Sequence, residues 1–184
     1  MRIIAGEKRS RLLKTPEGLD TRPTADRVKE AMFSILLPRL PGARVLDLYA
    51  GSGALSLEAL SRGAQSAVMA DCAAKAWKAI RENVEALGYG EKARLLRMAD
   101  TAAIAALEKS GEQFDLVFLD PPYRMDTAPI CARIMGLLAP GGMIVVEHSR
   151  QTPPAVAPPL CCTDHREYGV TGLSFYQIRE EESV

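Results

Sequence analysis

The chain has 184 residues, 47% of them hydrophobic, and its 23 basic and 23 acidic side chains give zero formal net charge at neutral pH. This length and composition predict one folded domain, residues 1–184, and argue against disorder and against a chain that is basic throughout. No apolar run approaches the roughly 18 residues of a membrane span, and the N-terminus lacks the apolar core of a signal peptide, so we expect a cytoplasmic protein with no membrane partner.

Cysteine and histidine are too sparse and too scattered to indicate a metal site. The four cysteines include no C-x-x-C pair, and the chain has only two histidines. Zinc sites need several such ligands at short, regular spacings. We therefore predict free thiols and no bound metal, which concerns Cys72, Cys131, Cys161, Cys162, His148 and His165.

A basic segment comes first in the chain. Within residues 1–20, the stretches RIIA (2–5) and RLLK (11–14) flank a glycine-containing turn and are predicted to form a small hairpin extension. Glu7 is the only acid among the first fifteen residues. Such a charge run is most often a solvated face, but a basic arm on a neutral body can also contact phosphates. Its basic residues are Arg2, Lys8, Arg9, Arg11 and Lys14.

From residue 21 onward the pattern predicts a helix and then alternating strands and helices. Residues 21–37 have the apolar spacing of a helix face, with Thr24 as a candidate N-terminal cap. Trp77 recurs with the apolar residues of a later helix and is predicted to lie in the core. Strands are predicted at 44–49, 66–71, 93–98, 114–120 and 142–148, and helices at 54–63, 73–88, 101–111 and 128–138.

Apolar strands separated by helices are typical of a parallel sheet covered on both faces. This pattern predicts a doubly wound α/β fold. Residues 151–159 carry four prolines and are predicted to be a rigid surface connection. After them, residues 160–169 and 173–181 are predicted to be two strands that pair antiparallel across a turn.

The motif D-L-Y-A-G-S-G-A-L-S, residues 47–56, ends the first strand and opens a helix, which is where an open α/β sheet binds ligands. Gly51 and Gly53 allow the backbone to approach a ligand closely. The motif is not a dinucleotide fingerprint, because Ser56 stands where a third glycine is required, and it lacks the G-K-[ST] of a phosphate-binding P-loop. Since Asp47 would repel phosphate and attract a cation, we predict a positively charged ligand.

Two further acids follow the next two strands. Asp71 lies about twenty residues after the glycine turn, where related folds place a ribose-binding acid, and Asp100 follows the third strand. Each can equally be an acid at a helix start, favoured by the helix dipole. With Asp47, however, they would share one edge of the sheet. Together they fit a cationic, ribose-bearing cofactor without phosphate, S-adenosylmethionine.

The stretch F-L-D-P-P-Y, residues 118–123, ends the fourth strand at the same edge. Proline terminates strands, so the motif is either a stiff turn or a site. A nucleobase amine is a poor nucleophile because its lone pair is delocalised into the ring. Asp120 and a backbone carbonyl fixed by Pro121 and Pro122 could accept both N–H bonds and aim the lone pair at a sulfonium methyl, while Tyr123 offers the base a stacking face.

These motifs resemble those of a known family. D-P-P-Y is similar to the [DNS]-P-P-[YFW] motif of amino methyltransferases, and D-L-Y-A-G-S-G-A-L to their cofactor motif. The combination of MRIIAG, LKTP, LDTRPTADRVKEAMFSIL, DLYAGSGALSLEALSRGA, FDLVFLDPPY and YGVTGLSFYQ resembles the bacterial 16S ribosomal RNA guanine-N2 methyltransferases of the RsmD type over nearly the whole chain. The resemblance implies a Rossmann-like class I methyltransferase fold, with a seven-stranded mixed sheet in the order 3-2-1-4-5-7-6.

The resemblance also implies a reaction, partners and residue roles. It implies methylation of the N2 amine of guanine 966, with S-adenosylmethionine as the cofactor and 16S rRNA, the 30S subunit or an assembly intermediate as the partner. We expect a monomer, although the sequence does not specify the oligomeric state. Glu147 would end the fifth strand, either near the base or as a satisfied acid. The implied catalytic residues are Asp120, Pro121, Pro122 and Tyr123; the cofactor-binding residues are Asp47, Ala50, Gly51, Ser52, Gly53, Asp71, Asp100, Arg22 and Thr24; the RNA-binding residues are Arg2, Lys8, Arg9, Arg11, Lys14 and Arg27.

Three other functions remain open at this point. A DNA adenine-N6 methyltransferase shares the D-P-P-Y chemistry but normally carries a sizeable target-recognition insert, and no segment here is long enough. A methyltransferase acting on a protein glutamine amide would favour asparagine at position 120. A cofactor-binding module without catalysis would not require the intact motif from Asp120 to Tyr123.

Overall fold

The computed structural model describes residues 1–16, 23–122 and 125–179, with side chains from residue 26 onward in the second range. In addition to α-helices and β-strands, the structure has two short 3-10 helices, Leu37–Arg39 and Ile134–Leu137. In chain order the α-helices and β-strands are α1 Pro23–Leu36, β1 Arg44–Asp47, α2 Ala54–Ser61, β2 Ser66–Ala70, α3 Ala74–Leu87, β3 Ala93–Leu96, α4 Asp100–Lys109, β4 Phe114–Leu119, α5 Ala128–Arg133, β5 Leu138–Ser149, β6 Leu160–Tyr168 and β7 Thr171–Ile178.

The seven strands form one sheet in the order β3-β2-β1-β4-β5-β7-β6, which confirms the predicted order. Strands β1 to β5 run parallel. Strand β7 lies antiparallel between β5 and β6, so the predicted terminal pair is also confirmed. Because parallel strands end at the same edge, the segments that follow β1, β2, β3 and β4 converge there.

Two apolar clusters, one on each face of the sheet, make up the core. Alternate side chains of each strand enter opposite clusters, as Val45 and Leu46 of β1 do. Helices α1, α2 and α3 cover one face, and α4 and α5 cover the other. All four cysteines are free thiols, as predicted. Among the residues described, no helix has the length and hydropathy needed to cross a membrane.

The structure corrects three local predictions. Helix α5 ends at Arg133, and β5 begins at Leu138 rather than 142, because Leu138 already pairs with Phe114 before an irregularity in the register. Helix α1 begins at Pro23, so Thr24 lies in its first turn and not at the cap position. Trp77 is only half-buried, because it lies at the border of the buried face of α3.

The N-terminal hairpin is present as an antiparallel pair with a bridge between Arg2 and Leu12. Its apolar side chains Ile3 and Leu13 are buried in the same cluster as helices α1 to α3. The backbone amides of Ile4 and Ala5 donate to the carboxylate of Glu58 on α2, at 2.8 and 3.0 Å. The hairpin is therefore held on the face of the sheet that carries α2.

Glu58 is the centre of a buried ionic group that anchors this hairpin. The carboxylate is fully buried and pairs with the Lys29 ammonium at 3.4 Å and the Arg62 guanidinium at 2.8 Å. Lys29 also donates to the backbone carbonyl of Arg2 at 2.6 Å. Burial lowers the pKa of Lys29, and the Glu58 carboxylate opposes that shift. A buried charge is tolerated only when it is paired in this way.

Candidate functional site

Three of the predicted acids meet at the carboxyl edge of the sheet. In the register, Asp47 at the end of β1 lies opposite Met69 on β2 and Phe118 on β4. Asp71 and Asp120 each follow two residues after these partners. The three carboxylates are close enough that Asp120 and Asp71 both raise the pKa of Asp47. The shared edge expected from the sequence is therefore a cluster of negative charge.

Asp47 is the most deeply buried of the three acids, with 1% of its surface exposed. The Ser56 hydroxyl, in the first turn of α2, donates to Asp47 Oδ2 at 3.0 Å. Asp47 Oδ1 has no hydrogen-bond partner among the described residues. Burial raises the pKa of Asp47 to about 7, with the hydrogen bond from Ser56 opposing the shift. A buried carboxylate oxygen without a partner is costly, and a cation or donor from a ligand would relieve that cost.

The glycine loop between β1 and α2 leaves space beside this acid. Gly51 and Gly53 have φ angles of 55° and 78°, in the region that L side chains rarely adopt. A Cβ on Gly53 would lie 3.1 Å from the sulfur of Met69, a tight contact that adds to the strain of the positive φ angle. A Cβ on Gly51 would meet nothing nearer than 4.0 Å, so the loop has an open side at Gly51.

Asp71 is tied to the glycine loop and to the start of α3. Its Oδ2 accepts the amide of Gly51 at 3.0 Å, and its Oδ1 accepts the amide of Ala73 at 2.8 Å. The second bond closes a local turn onto Ala73, the N-cap residue of α3, so Asp71 lies before the first turn of that helix. The half-buried carboxylate still has free lone pairs, since each oxygen accepts one bond of the two it can take. The structure thus leaves room for the ribose role.

Asp100 joins the site through a tyrosine that the sequence analysis gave no role. It begins α4, and the Tyr49 hydroxyl donates to Asp100 Oδ2 at 2.7 Å. The same hydroxyl lies 3.2 Å from the sulfur of Met125. Burial and the bond to Asp100 raise the pKa of Tyr49. The sequence feature that could have indicated a role for Tyr49 is its position in the glycine motif, two residues after Asp47.

Asp120 and the two prolines follow β4 at the same edge of the sheet. The Asp120 residue is exposed, whereas Pro121 is buried, which holds the backbone in place. Although water reaches Asp120, the protein atoms around its carboxyl group raise its pKa. The carbonyl of Pro122 accepts the amide of Met125 at 2.9 Å. Tyr123 lies outside the described residues.

Among the predicted cofactor residues, the structure brings together the glycine loop and the acids. Ala50 is buried and its amide donates to the carbonyl of Ala70 at 3.1 Å, which fixes the loop to β2. Ser52, which lies within the loop, is also buried. Arg22 lies outside the described residues, as does the side chain of Thr24. Within the described ranges, no group of three histidine, cysteine or acidic side chains is placed to hold a metal ion.

The basic residues predicted to contact RNA differ in their contacts with the rest of the chain. Arg2, Arg9, Arg11 and Arg27 are exposed. The two lysines of the hairpin already have neighbours within the chain. The Lys8 ammonium lies 5.6 Å from the centre of the Tyr89 ring, and the Lys14 ammonium pairs with Glu82 at 2.9 Å.

Asn83 on α3 is a buried positioning residue that the sequence analysis missed. Its amide nitrogen donates to the carbonyls of Lys14 and Ser52, at 2.8 and 2.9 Å, and its oxygen accepts the amide of Lys14. It therefore links the hairpin to the glycine loop. A polar residue on the apolar face of a predicted helix was the available signal.

The acceptor groups at this edge of the sheet fit a cationic, ribose-bearing cofactor, which is the class expected from the sequence. The unpartnered Asp47 Oδ1 suits a cation or an ammonium donor, Asp71 has spare acceptor capacity for hydroxyl groups, and the open side of Gly51 leaves room for a ligand. Asp120 is exposed at the same edge of the sheet, where a second reactant would approach. The arrangement can hold a cationic nucleoside beside an acceptor of N–H bonds.

Comparison with known proteins finds relatives that match this chain over nearly its full length. The profile of the family described as Conserved hypothetical protein 95 matches residues 1–177. The chain is 37% identical to YlbH of Bacillus subtilis (strain 168) over 183 residues, covering 97% of this chain and 100% of YlbH. It is 35% identical to Ribosomal RNA small subunit methyltransferase D of Escherichia coli (strain K12) over 187 residues, covering 100% and 91%.

Solved structures agree with this result. The Escherichia coli protein yhhF superposes with a TM-score of 0.84 at 33% identity, covering 98% of this chain and 99% of that one. The hypothetical protein TTHA0928 of Thermus thermophilus gives a TM-score of 0.82 at 32% identity, covering 95% and 98%. More distantly, SMU.776, solved with SAH, is 13% identical at a TM-score of 0.71 and shares the fold, covering 86% of this chain and 50% of its own.

Proposed function

The chain belongs to the RsmD family, described as Conserved hypothetical protein 95, and on that premise we propose that it methylates the N2 amine of guanine 966 in 16S ribosomal RNA. The relatives support a methyltransferase that acts on ribosomal RNA. The methyl donor is S-adenosylmethionine, whose sulfonium supplies an electrophilic methyl carbon. The domain would act as a monomer on 16S RNA, the 30S subunit or an assembly intermediate.

One observation carries this proposal: the Asp120 carboxylate and the buried Asp47 carboxylate lie at neighbouring strand ends, within electrostatic reach of each other. The cation-binding acid is thus next to the group that would hold the acceptor amine. Binding alone would need Asp47 and the glycine loop. The position of Asp120 is explained only when a second reactant is held beside the cofactor.

Different residues of the chain would bind different parts of the cofactor and of the RNA substrate. Asp47 would pair with the cationic methionine end of the cofactor through Oδ1, and Asp71 would accept from the ribose hydroxyls. The Tyr49–Asp100 pair lies beside the glycine loop and would border the adenine. Arg22 and Thr24 would approach the methionine end, and Tyr123 would stack on the guanine.

Asp120 and a backbone carbonyl of the prolines would each accept one N–H bond from the guanine amine. Both acceptors together would rotate the amine so that its lone pair points at the methyl carbon. As the new N–C bond forms, the bond from carbon to sulfur breaks and its electron pair stays on sulfur. The methylated amine is acidic, and Asp120, whose pKa is raised toward neutrality, can accept the proton and pass it to water.

The test is methylation of 16S RNA and of 30S particles prepared from cells that lack the protein, with a labelled methyl donor. We expect label in one of the two RNA substrates, and a primer-extension stop at guanine 966. Double-stranded DNA and total protein from the same cells serve as parallel substrates. Label in DNA or protein, with none in either RNA substrate, would overturn the assignment. A stop at another nucleotide would overturn the position alone.

A further inference from the structure

A second charged surface lies between the N-terminal hairpin and α3. It is a groove of about 390 Å³ lined by Lys14, Thr15 and Pro16 of the hairpin segment and by Lys75, Lys78, Ala79 and Glu82 of α3. Three lysines thus face one glutamate, although the whole chain has no net charge. We call these seven residues the α3 groove.

Glu82 is the point at which these charges meet. The Lys14 ammonium donates to Glu82 Oε2 at 2.9 Å. That hydrogen bond holds the pKa of Glu82 below its usual range, and the charges of Lys14, Lys78 and Arg81 add to the effect. Three cations therefore act electrostatically on the Glu82 carboxylate, and Lys14 is the one that is hydrogen-bonded to it. The positive charges near Glu82 outnumber its single negative charge, which favours binding of a polyanion.

The groove is also connected to the site already described. Asn83 follows Glu82 in α3 and holds the backbone of both Lys14 and Ser52. The glycine loop and the α3 groove therefore share one buried anchor. A polyanion lying in the groove would be adjacent to the end of the hairpin segment that carries Lys14.

We propose that the α3 groove binds the sugar-phosphate backbone of the RNA substrate and that Glu82 limits the strength of that binding by occupying Lys14. This inference rests on the proposed function, because it takes RNA as the substrate. Lysine ammoniums are point charges that suit phosphodiester groups and carry no sequence preference. The groove therefore adds affinity, while the choice of nucleotide stays with the acid cluster and its proline loop.

The proposal predicts opposite effects for two substitutions on the same helix. Each phosphate contact contributes about 0.7 to the slope of log affinity against log salt for single-stranded RNA, which is about fivefold in affinity at 0.1 M salt. Lys78→Gln should weaken RNA binding by about fivefold and lower the slope by about 0.7. Glu82→Gln should tighten binding by about fivefold, because Lys14 is released.

The experiment measures binding of a 16S RNA transcript to the full chain across a salt series, without cofactor. Lys109→Gln and Glu108→Gln on α4, which covers the opposite face of the sheet, are the matched controls and should leave affinity unchanged. In methyl transfer to the RNA substrate, Lys78→Gln should raise KM and leave kcat unchanged. Thermal unfolding of each variant checks that it is folded.

The outcomes separate this proposal from the proposed function. Unchanged RNA affinity in both α3 variants, or a change of the same sign in both, overturns the groove while methylation of 16S RNA by the wild type can still stand. Vesicles of phosphatidylserine form a separate arm. Should they bind the wild type with the Lys78 and Glu82 dependence described while RNA shows none, the RNA assignment of the groove is overturned.

Discussion

Replacing the buried acid of the site, Asp47→Asn, should make the free protein more stable at neutral and alkaline pH. The raised pKa means that the folded chain binds a proton more tightly than the unfolded chain between about pH 4 and pH 7. By linkage, stability is then lost as the pH rises through that range. Asparagine keeps the acceptor for Ser56 but cannot ionise, so the variant does not incur this cost.

The magnitude follows from the pKa. A rise from 3.8 to about 7 corresponds to about 4 kcal/mol of destabilisation at pH 8, when the carboxyl group is ionised in both states. At pH 5 the folded group is protonated, and less than half of the cost remains. The stability advantage of Asp47→Asn should therefore shrink by more than half between pH 8 and pH 5.

Urea unfolding at the two pH values measures this difference directly. Ser56→Ala is the matched comparison, because it removes the hydrogen bond that opposes the shift and should steepen the pH dependence. The reasoning fails if Asp47→Asn is no more stable than the wild type at pH 8, or if its advantage is the same at both pH values.

The same substitution should have the opposite effect on the cofactor. Loss of a charge-assisted bond costs about 1.5–3 kcal/mol, so cofactor affinity should fall by more than tenfold. In the wild type, affinity should decline below about pH 7 as Asp47 becomes protonated, whereas the variant should show no such decline. Calorimetric titration at several pH values checks both statements, and equal pH profiles would contradict the role given to Asp47.

Three further substitutions test other parts of the structure. Asp120→Ala should keep cofactor affinity and lose about 10²–10³-fold in kcat, with Asp120→Asn, which retains an acceptor oxygen, less impaired; equal turnover in wild type and alanine variant would remove Asp120 from the mechanism. Gly172→Ala places a Cβ against the buried imidazole of His148 and should cost about 1–3 kcal/mol in urea unfolding, while Gly90→Ala, with open space around it, should be nearly neutral. Glu58→Gln leaves two buried cations short of their partner and should cost about 3–5 kcal/mol and expose the hairpin to limited proteolysis, whereas Glu112→Gln at an exposed pair should cost less than about 1 kcal/mol.

Local patterns in the sequence were sufficient for the elements of the fold and for the acids that meet at one edge of the sheet. Alternating apolar strands and helices predicted the doubly wound sheet, and the family resemblance supplied the strand order that the structure confirms. The glycine motif and the proline motif marked where β1 and β4 end. These features are readable because strand ends, turns and helix starts depend on residues that are neighbours in the chain.

Contacts between distant residues were decided by tertiary structure. Glu58, Asn83 and Tyr49 hold the hairpin, the glycine loop and Asp100 in place, yet each is an ordinary polar residue within its own element. Trp77 has core spacing but lies at the border of its helix. Strand register and helix rotation set these partners, and neither is visible in the spacing of one element. Periodicity along the chain therefore determined which elements form, and packing between elements determined which side chains meet.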